Sequence, residues 1–321
     1  MRVLFFGTSA FAVPNLERLL QDGSHQVRCL TQPDQPQGRG LAASPSPVKS
    51  AALRRGLVVD EAEELRVVLP ELSAFKPELA VVVAYGQLIP KALLDLPTLG
   101  CLGVHPSLLP RYRGASPIAR AILDGEQETG VTIFRLCERL DAGEILLQER
   151  TLIGREETAE ALSNRLAVLG AEVLMRAVAA LEAGTATWYA QDERLATYAP
   201  KLTKQDGWID WSQTAEAIDR RIRASIPWPG AQTSWRGQSL KIWRAQARPV
   251  PGQPQGDSHP GQVVAASSDG VVVATGSGSL VLEEFQLAGR KRLAVREFLL
   301  GHRMEVGDML GGSEQSKASR Q

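Results

Sequence analysis

The stretch CLGVHPSLLPRYRGASPI, residues 101–118, decides how this chain is read. CLGV is a short apolar run of the kind that forms a buried strand, and it opens on His105 and a series of turn residues. With LAVVVAYG at 79–86 it points to a parallel sheet covered on both faces, because a sheet wet on one side alternates apolar and polar positions. His105 then stands at the carboxyl end of a parallel strand, where open α/β sheets carry their ligand crevices. The loop that follows is too rich in proline and arginine to be core, which favours a site histidine over a structural or capping one.

Outward from this segment the pattern is strand, loop, helix. RVLFF at 2–6 is a β-prone run stopped by Gly7, and Pro14 opens a helix with Leu16, Leu19 and Leu20 on one face. Further strands are expected at 26–30 and at VTIFRL, 131–136, and a long packing helix at 159–182 with Leu162, Leu166, Leu169, Val173 and Leu181 in one stripe. Composition changes near Thr197. TYAPKLTKQDGWIDW is polar and turn-rich, AEAIDRRIRA at 215–224 reads as a short helix, and IPWPG at 226–230 is rigid. Short runs at 240–243, 262–266 and 271–275, the last preceded by an Asp269-Gly270 turn, read as a small β-rich or barrel-like domain. The expected division is a catalytic domain over 1–200, a second domain over 201–310 and a disordered tail over 311–321, with 249–261 a surface loop.

At 321 residues the length suits about two domains. The 36 basic and 36 acidic side chains balance, but 16 basic and 12 acidic fall in 201–321, leaving the second part at +4. That asymmetry is compatible with a polyanionic partner and equally with an ordinary surface. Cys29, Cys101 and Cys137 lie in apolar segments without C-x-x-C spacing, the simpler reading of which is a reducing compartment. With no 18-residue apolar run and no convincing leader, a cytoplasmic protein without a membrane partner is expected.

Asp141, in DAGEI near another expected strand end, is an Asx-turn residue or, beside His105, the carboxylate that orients an imidazole and raises its pKa. No metal is expected, because H-E-x-x-H and clustered Cys/His are absent. Ser107 has no G-x-S-x-G setting, so catalysis without a metal or covalent nucleophile is the working expectation. The loop TQPDQPQGRGLAASPSPVK at 31–49 carries Arg39 between two glycines; it is either a substrate-covering, phosphate-gripping excursion or an ordinary insertion.

FFGTSAFAVP (5–14), TQPDQPQGRG (31–40), VVAYGQLIPK (82–91), HPSLLPRYRGASPI (105–118), LDAGEI (140–145), YAPKLTK (198–204), IPWPGA (226–231), LKIWRA (240–245) and REFLLGHR (296–303) give the chain, over almost all its length, a resemblance to the methionyl-tRNA formyltransferases. The resemblance implies a doubly wound α/β formyltransferase domain followed by a small OB-like β-barrel. It implies transfer of a formyl group from 10-formyltetrahydrofolate to the α-amine of methionyl initiator tRNA by a monomer. His105 and Asp141 match the second and third positions of the family's catalytic set. The donor is expected near Val83, Ala84, Tyr85 and Gly86 and the turn Ser107, Leu108, Leu109 and Pro110. Arg39 matches the arginine of the tRNA-facing insertion, and Lys201, Lys204, Lys241 and Arg244 are the basic groups expected to help hold phosphates.

The first catalytic position departs from the family. Gly103 stands where the resemblance implies an asparagine whose amide helps hold an oxyanion. Loss of such a donor costs roughly 2.7–4 kcal/mol, or about 10²–10³ in rate. The departure leaves an impaired enzyme, a protein using different chemistry, or a variant of an otherwise ordinary enzyme; the rival functions are another 10-formyltetrahydrofolate-dependent formyltransferase or hydrolase and a catalytically impaired RNA-binding descendant. Gly103→Asn is expected to raise the chemical rate or to expose compensation already present.

Overall fold

The computed structural model describes residues 1–21, 23–37, 42–247 and 258–311, so Arg39, most of the 249–261 segment and the tail from 312 lie outside the described residues. The chain divides into two compact units. The first comprises Met1–Ile118, Gln127–Ile153 and Ala161–Pro200, and the second Ala119–Glu126, Gly154–Glu160 and the chain from Lys201 onward.

In the first unit the strands are β1 (Arg2–Gly7), β2 (Gln26–Thr31), the small pair β3 (Gln35–Gln37) and β4 (Ala42–Ser44), β5 (Val59–Glu61), β6 (Leu79–Val83), β7 (Cys101–His105), β8 (Glu128–Arg135) and β9 (Ile145–Leu152). Helices α1 (Val13–Leu20), α2 (Pro47–Arg54), α3 (Leu69–Ala74) and α4 (Lys91–Leu94) belong to the same unit, as does most of α6 (Ala159–Glu182), whereas most of α5 (Pro117–Asp124) is counted with the second. Among the described residues the main sheet runs β5-β2-β1-β6-β7-β8-β9. Successive residues of β1 face opposite ways yet Val3, Leu4, Phe5 and Phe6 are all buried, which is why the strand reads as a continuous apolar run. Behind β7, the long helix α6 comes close at Gly170, where a Cβ would stand 3.1 Å from Val104 Cγ1.

Three expectations change here. The sheet is mixed, because β7 pairs with β8 antiparallel and β8 with β9 antiparallel. A strand buried on both faces is apolar whichever way it runs, so GVTIF carried no sign of its direction. The strand expected over 79–86 ends at Val83, since Ala84 turns left-handed at φ 44°. Cys137 is exposed, whereas Cys29 and Cys101 are buried and burial pushes each thiol up to about 12.

The second unit adds α7 (Ala215–Ala224), β10 (Ala231–Trp235), β11 (Gln238–Ala247), β12 (Val263–Ser267), β13 (Gly270–Ala274), β14 (Ser279–Leu287), β15 (Leu293–Ala294) and α8 (Val295–Gly301). Its antiparallel sheet runs β10-β11-β14-β13-β12, with β15 on β14. The two outer strands do not pair with each other. Residues 307–311 instead hydrogen-bond to both sides, through Gly307 and Asp308 to Val263 and through Gly311 to Ser234. Ile218, Ile222, Trp235, Leu240, Phe285 and Phe298 fill the core between sheet and helices. Among the described residues no helix is long and apolar enough to cross a membrane.

Candidate active site

His105 ends β7 at the carboxyl edge of the parallel part of the sheet. The segment behind it is core after all: His105, Ser107, Leu109, Tyr112 and Arg113 are all buried. Of its two arginines Arg111 is exposed, and Arg113 is tolerated inside because each nitrogen of its guanidinium is met. Arg113 Nε and Nη2 donate to Gln191 Oε1 at 3.1 and 2.7 Å, and Nη1 to Glu193 at 2.9 Å. Counting prolines and arginines missed this, because burial of an arginine depends on partners about eighty residues away.

One ring nitrogen of His105 is spoken for. Nε2 lies 2.8 Å from the Tyr112 carbonyl, which only accepts, so in the neutral ring the proton sits on Nε2 and Nδ1 keeps its lone pair. Nδ1 faces Asp141 Oδ2 at 3.7 Å, too long for a hydrogen bond and close enough for charge to act. Burial pushes the imidazole below the usual histidine range, against the opposing pull of the Asp141 carboxylate and the Tyr112 carbonyl. The ring is therefore held towards its neutral form.

Asp141 does not reach His105 from a neighbouring strand end, as the sequence suggests. β8 runs the other way and its last residue, Arg135, pairs with Leu102, so the 136–144 loop must return towards the end of β7. Two contacts hold it there. Gly114 N–H donates to Asp141 Oδ2 at 2.8 Å, and Gln191 Nε2 donates to the carbonyls of Asp141 and Gly143 at 2.8 and 2.7 Å. Asp141 itself is left-handed at φ 49°, a conformation asparagine and aspartate accept more readily than most residues. Gln191 thus ties the Arg113 loop to the Asp141 loop, a role with no local signature in YAQDE.

A second polar row supports the turn after His105. Alternation puts His105, Thr132 and Gln148 side by side on one face of β7, β8 and β9. Thr132 Oγ1 donates to Ser107 O at 2.7 Å and accepts from Leu109 N at 3.1 Å, and Gln148 Nε2 donates to both Leu109 O and Thr132 Oγ1. Thr132, the polar residue inside the apolar run VTIF, was the available signal for it.

The eight residues expected around a donor split into two groups. β6 pairs with β7 as far as Val82 beside Gly103, and Thr8 Oγ1 on the neighbouring strand end donates to Tyr85 O at 2.9 Å. Ala84 and Gly86 are exposed, Val83 and Tyr85 buried, and the Tyr85 hydroxyl has no partner among the described residues. Ser107 is used internally, donating to Arg111 O. Leu108, Leu109 and Pro110 instead line, with Gln148 and Thr197, a cavity of about 590 Å³ that includes neither His105 nor Asp141.

The expected nucleic-acid groups also divide. Lys201 and Lys204 are exposed. Lys241 is half-buried beside the Trp243 ring, and Arg244 is engaged by Glu283 at 2.7 Å. Arg39 lies outside the described residues.

Residues 1–178 match the formyl transferase family model and 201–303 the model of the formyl transferase C-terminal domain, so fold and matches together define a two-domain formyltransferase fold. The chain belongs to the methionyl-tRNA formyltransferase family. It is 42% identical over 318 residues to the methionyl-tRNA formyltransferase of Citrifermentans bemidjiense, covering 98% of each chain. Among solved structures it resembles HypX from Aquifex aeolicus in complex with tetrahydrofolic acid (TM-score 0.66, 19% identity), covering 98% of this chain but about half, 51%, of HypX. WlaRD, a sugar 3N-formyl transferase solved with dTDP and 5-N-formyl-THF, has the same TM-score of 0.66 at 16% identity and covers 91% of this chain and 99% of its own.

Proposed function

We propose that this protein transfers the formyl group of 10-formyltetrahydrofolate to the α-amine of methionine esterified to initiator tRNA. Near-full-length likeness to a methionyl-tRNA formyltransferase supports the substrates. The observation that carries the chemistry is the free Nδ1 of a buried, neutral His105 facing the Asp141 carboxylate at 3.7 Å.

The donor supplies an electrophilic formyl carbon. As the amine nitrogen attacks it, His105 Nδ1 takes the proton that the nitrogen sheds, and the Asp141 carboxylate stabilises the imidazolium so formed. The same nitrogen returns that proton to the departing nitrogen of the donor, so the histidine ends neutral. The exposed residues Ala84 and Gly86, just beyond the end of β6, suit a heteroaromatic donor with hydrogen-bonding edges. Phosphates of the acceptor are met by Lys201, Lys204 and Arg39, and the second unit is an OB-like barrel closed through residues 307–311. The protein works as a cytoplasmic monomer.

A formyl-transfer assay with purified protein, 10-formyltetrahydrofolate and methionyl initiator tRNA tests this, run beside His105→Ala. Transfer by the parent and loss of at least a hundredfold in the variant is expected. Equal efficiency with free methionine, or formate release to water at the same rate, would remove the macromolecular acceptor from the reading.

A further inference from the structure

Gly103 is two residues before His105 on β7, so a side chain at 103 would stand next to the imidazole on the same face of the sheet. That place is taken. Phe134 lies directly across from Gly103 in the antiparallel register of β7 and β8, and the two residues of such a pair share a face. A Cβ built on Gly103 would be 2.7 Å from Phe134 Cζ, with Cε1 nearer still and Cδ1 at 3.1 Å. These are the far atoms of an aromatic ring that is only 2% exposed, and the strand at its base fixes where it starts. The ring also stands edge-on to the imidazole of His105, centroids 6.4 Å apart and planes at 86°, within the range of aromatic pairs.

We propose that Phe134 is a positioning residue for His105 and that it forms a matched pair with Gly103: the glycine leaves the space, and the ring fills it as the wall beside the base. The proposal rests on the reading of His105 as the base. The ring excludes water from one side of the imidazole and limits its tilt, which a flexible or smaller side chain does not do. The pairing also explains why a glycine is acceptable inside a strand, where it otherwise weakens the element. It follows that Gly103→Asn by itself does not restore an amide to the site. The added side chain must displace the ring, and the base loses its wall.

Four full-length proteins test the pair: the parent, Gly103→Asn, Phe134→Val and the double variant. Valine removes the colliding ring atoms and suits a strand. Single-turnover rates at saturating donor and methionyl-tRNA, KM for each substrate, and thermal midpoints are measured. The expected result is a change of sign. Phe134→Val lowers the rate of the parent about tenfold at unchanged KM, and raises the rate of the Gly103→Asn protein, which alone is at least tenfold slower than the parent. The pair is refuted when Phe134→Val acts in the same direction in both backgrounds, or when Gly103→Asn alone keeps the parental rate. Should Gly103→Asn not fold, recovery of a folded, active double variant supports the pair, and failure of the double variant to fold overturns it. A parent without formyl transfer would defeat the reading of function instead. The thermal midpoints of the four proteins then decide the pairing, by whether Phe134→Val stabilises the Gly103→Asn chain and destabilises the parent.

Discussion

At His105 the bond made by one ring nitrogen determines what the other can do. The Tyr112 carbonyl holds the proton on Nε2, so Nδ1 keeps the lone pair that the proposed mechanism uses as the base, and Asp141 is near enough to favour its protonation without sharing the proton. Burial lowers the pKa of the ring and Asp141 opposes that shift, which gives a pH dependence with a definite sign. The acid limb of kcat/KM that belongs to His105 lies below the ordinary histidine value of 6.5. In Asp141→Asn the opposing charge is gone, the ring stays neutral to still lower pH, and that limb moves further towards acid while the rate falls by about 10²-fold or more. The limb set by the acceptor amine is common to both proteins, so their pH profiles compared side by side isolate the histidine. A limb that moves to higher pH would mean that Asp141 does not act on His105 by charge.

Between elements, the site is held by bonds between loops and by one polar row across three strands. Gln191 fastens Asp141 and Gly143 while accepting from Arg113. Gln191→Leu keeps most of the volume and removes these bonds. At about 0.5–1.5 kcal/mol for each of the two bonds to the Asp141 loop, a tenfold loss of kcat is the expected order, together with a lower thermal midpoint because a buried guanidinium loses a partner. An unchanged kcat would show that Gly114 alone keeps Asp141 in place. Thr132→Val tests the row. It leaves the Leu109 N–H buried and unpaired, so chemical denaturation should show a loss of about 1–3 kcal/mol. The elements themselves were legible. The helices over 159–182 and 215–224 follow from apolar spacing, since each buries a stripe, and the first strand from a continuous apolar run buried on both faces, both of which local sequence must supply. The direction of β8 and the return of the 136–144 loop were not legible, because they depend on which neighbour a strand finds.

For the whole molecule the balance of charge is informative only by unit, with 16 basic against 12 acidic side chains in 201–321. Several of these are committed internally. Arg223 pairs with Asp219 at 2.9 Å, Arg221 donates to Asp206 O, and Arg244 is held by Glu283. On the proposed function, phosphate attraction would then fall to groups such as the exposed Lys201 and Lys204. For methionyl-tRNA, kcat/KM should fall linearly with salt on logarithmic axes, and the donor KM should barely move. Lys201→Ala and Lys204→Ala should each reduce that slope by about one if the lysine meets a phosphate. A slope unchanged in both variants would assign acceptor binding to other groups.

The apolar runs and the turn residues of this chain were enough to determine the two-part architecture, because burial and backbone geometry are demands that neighbouring residues satisfy locally; His105 was singled out by its strand-end loop and Asp141 by the resemblance, and only the fold brings them to 3.7 Å. What sits beside those two groups was decided only in three dimensions. Gln191 is fifty residues from the aspartate it holds, Arg113 is buried by partners about eighty residues on, and the Phe134 ring occupies the space that Gly103 leaves open. In sequence Gly103 is a missing amide. In the fold it is one half of a packed pair, since two side chains cannot occupy one volume and only the register of β7 on β8 shows which of them is there.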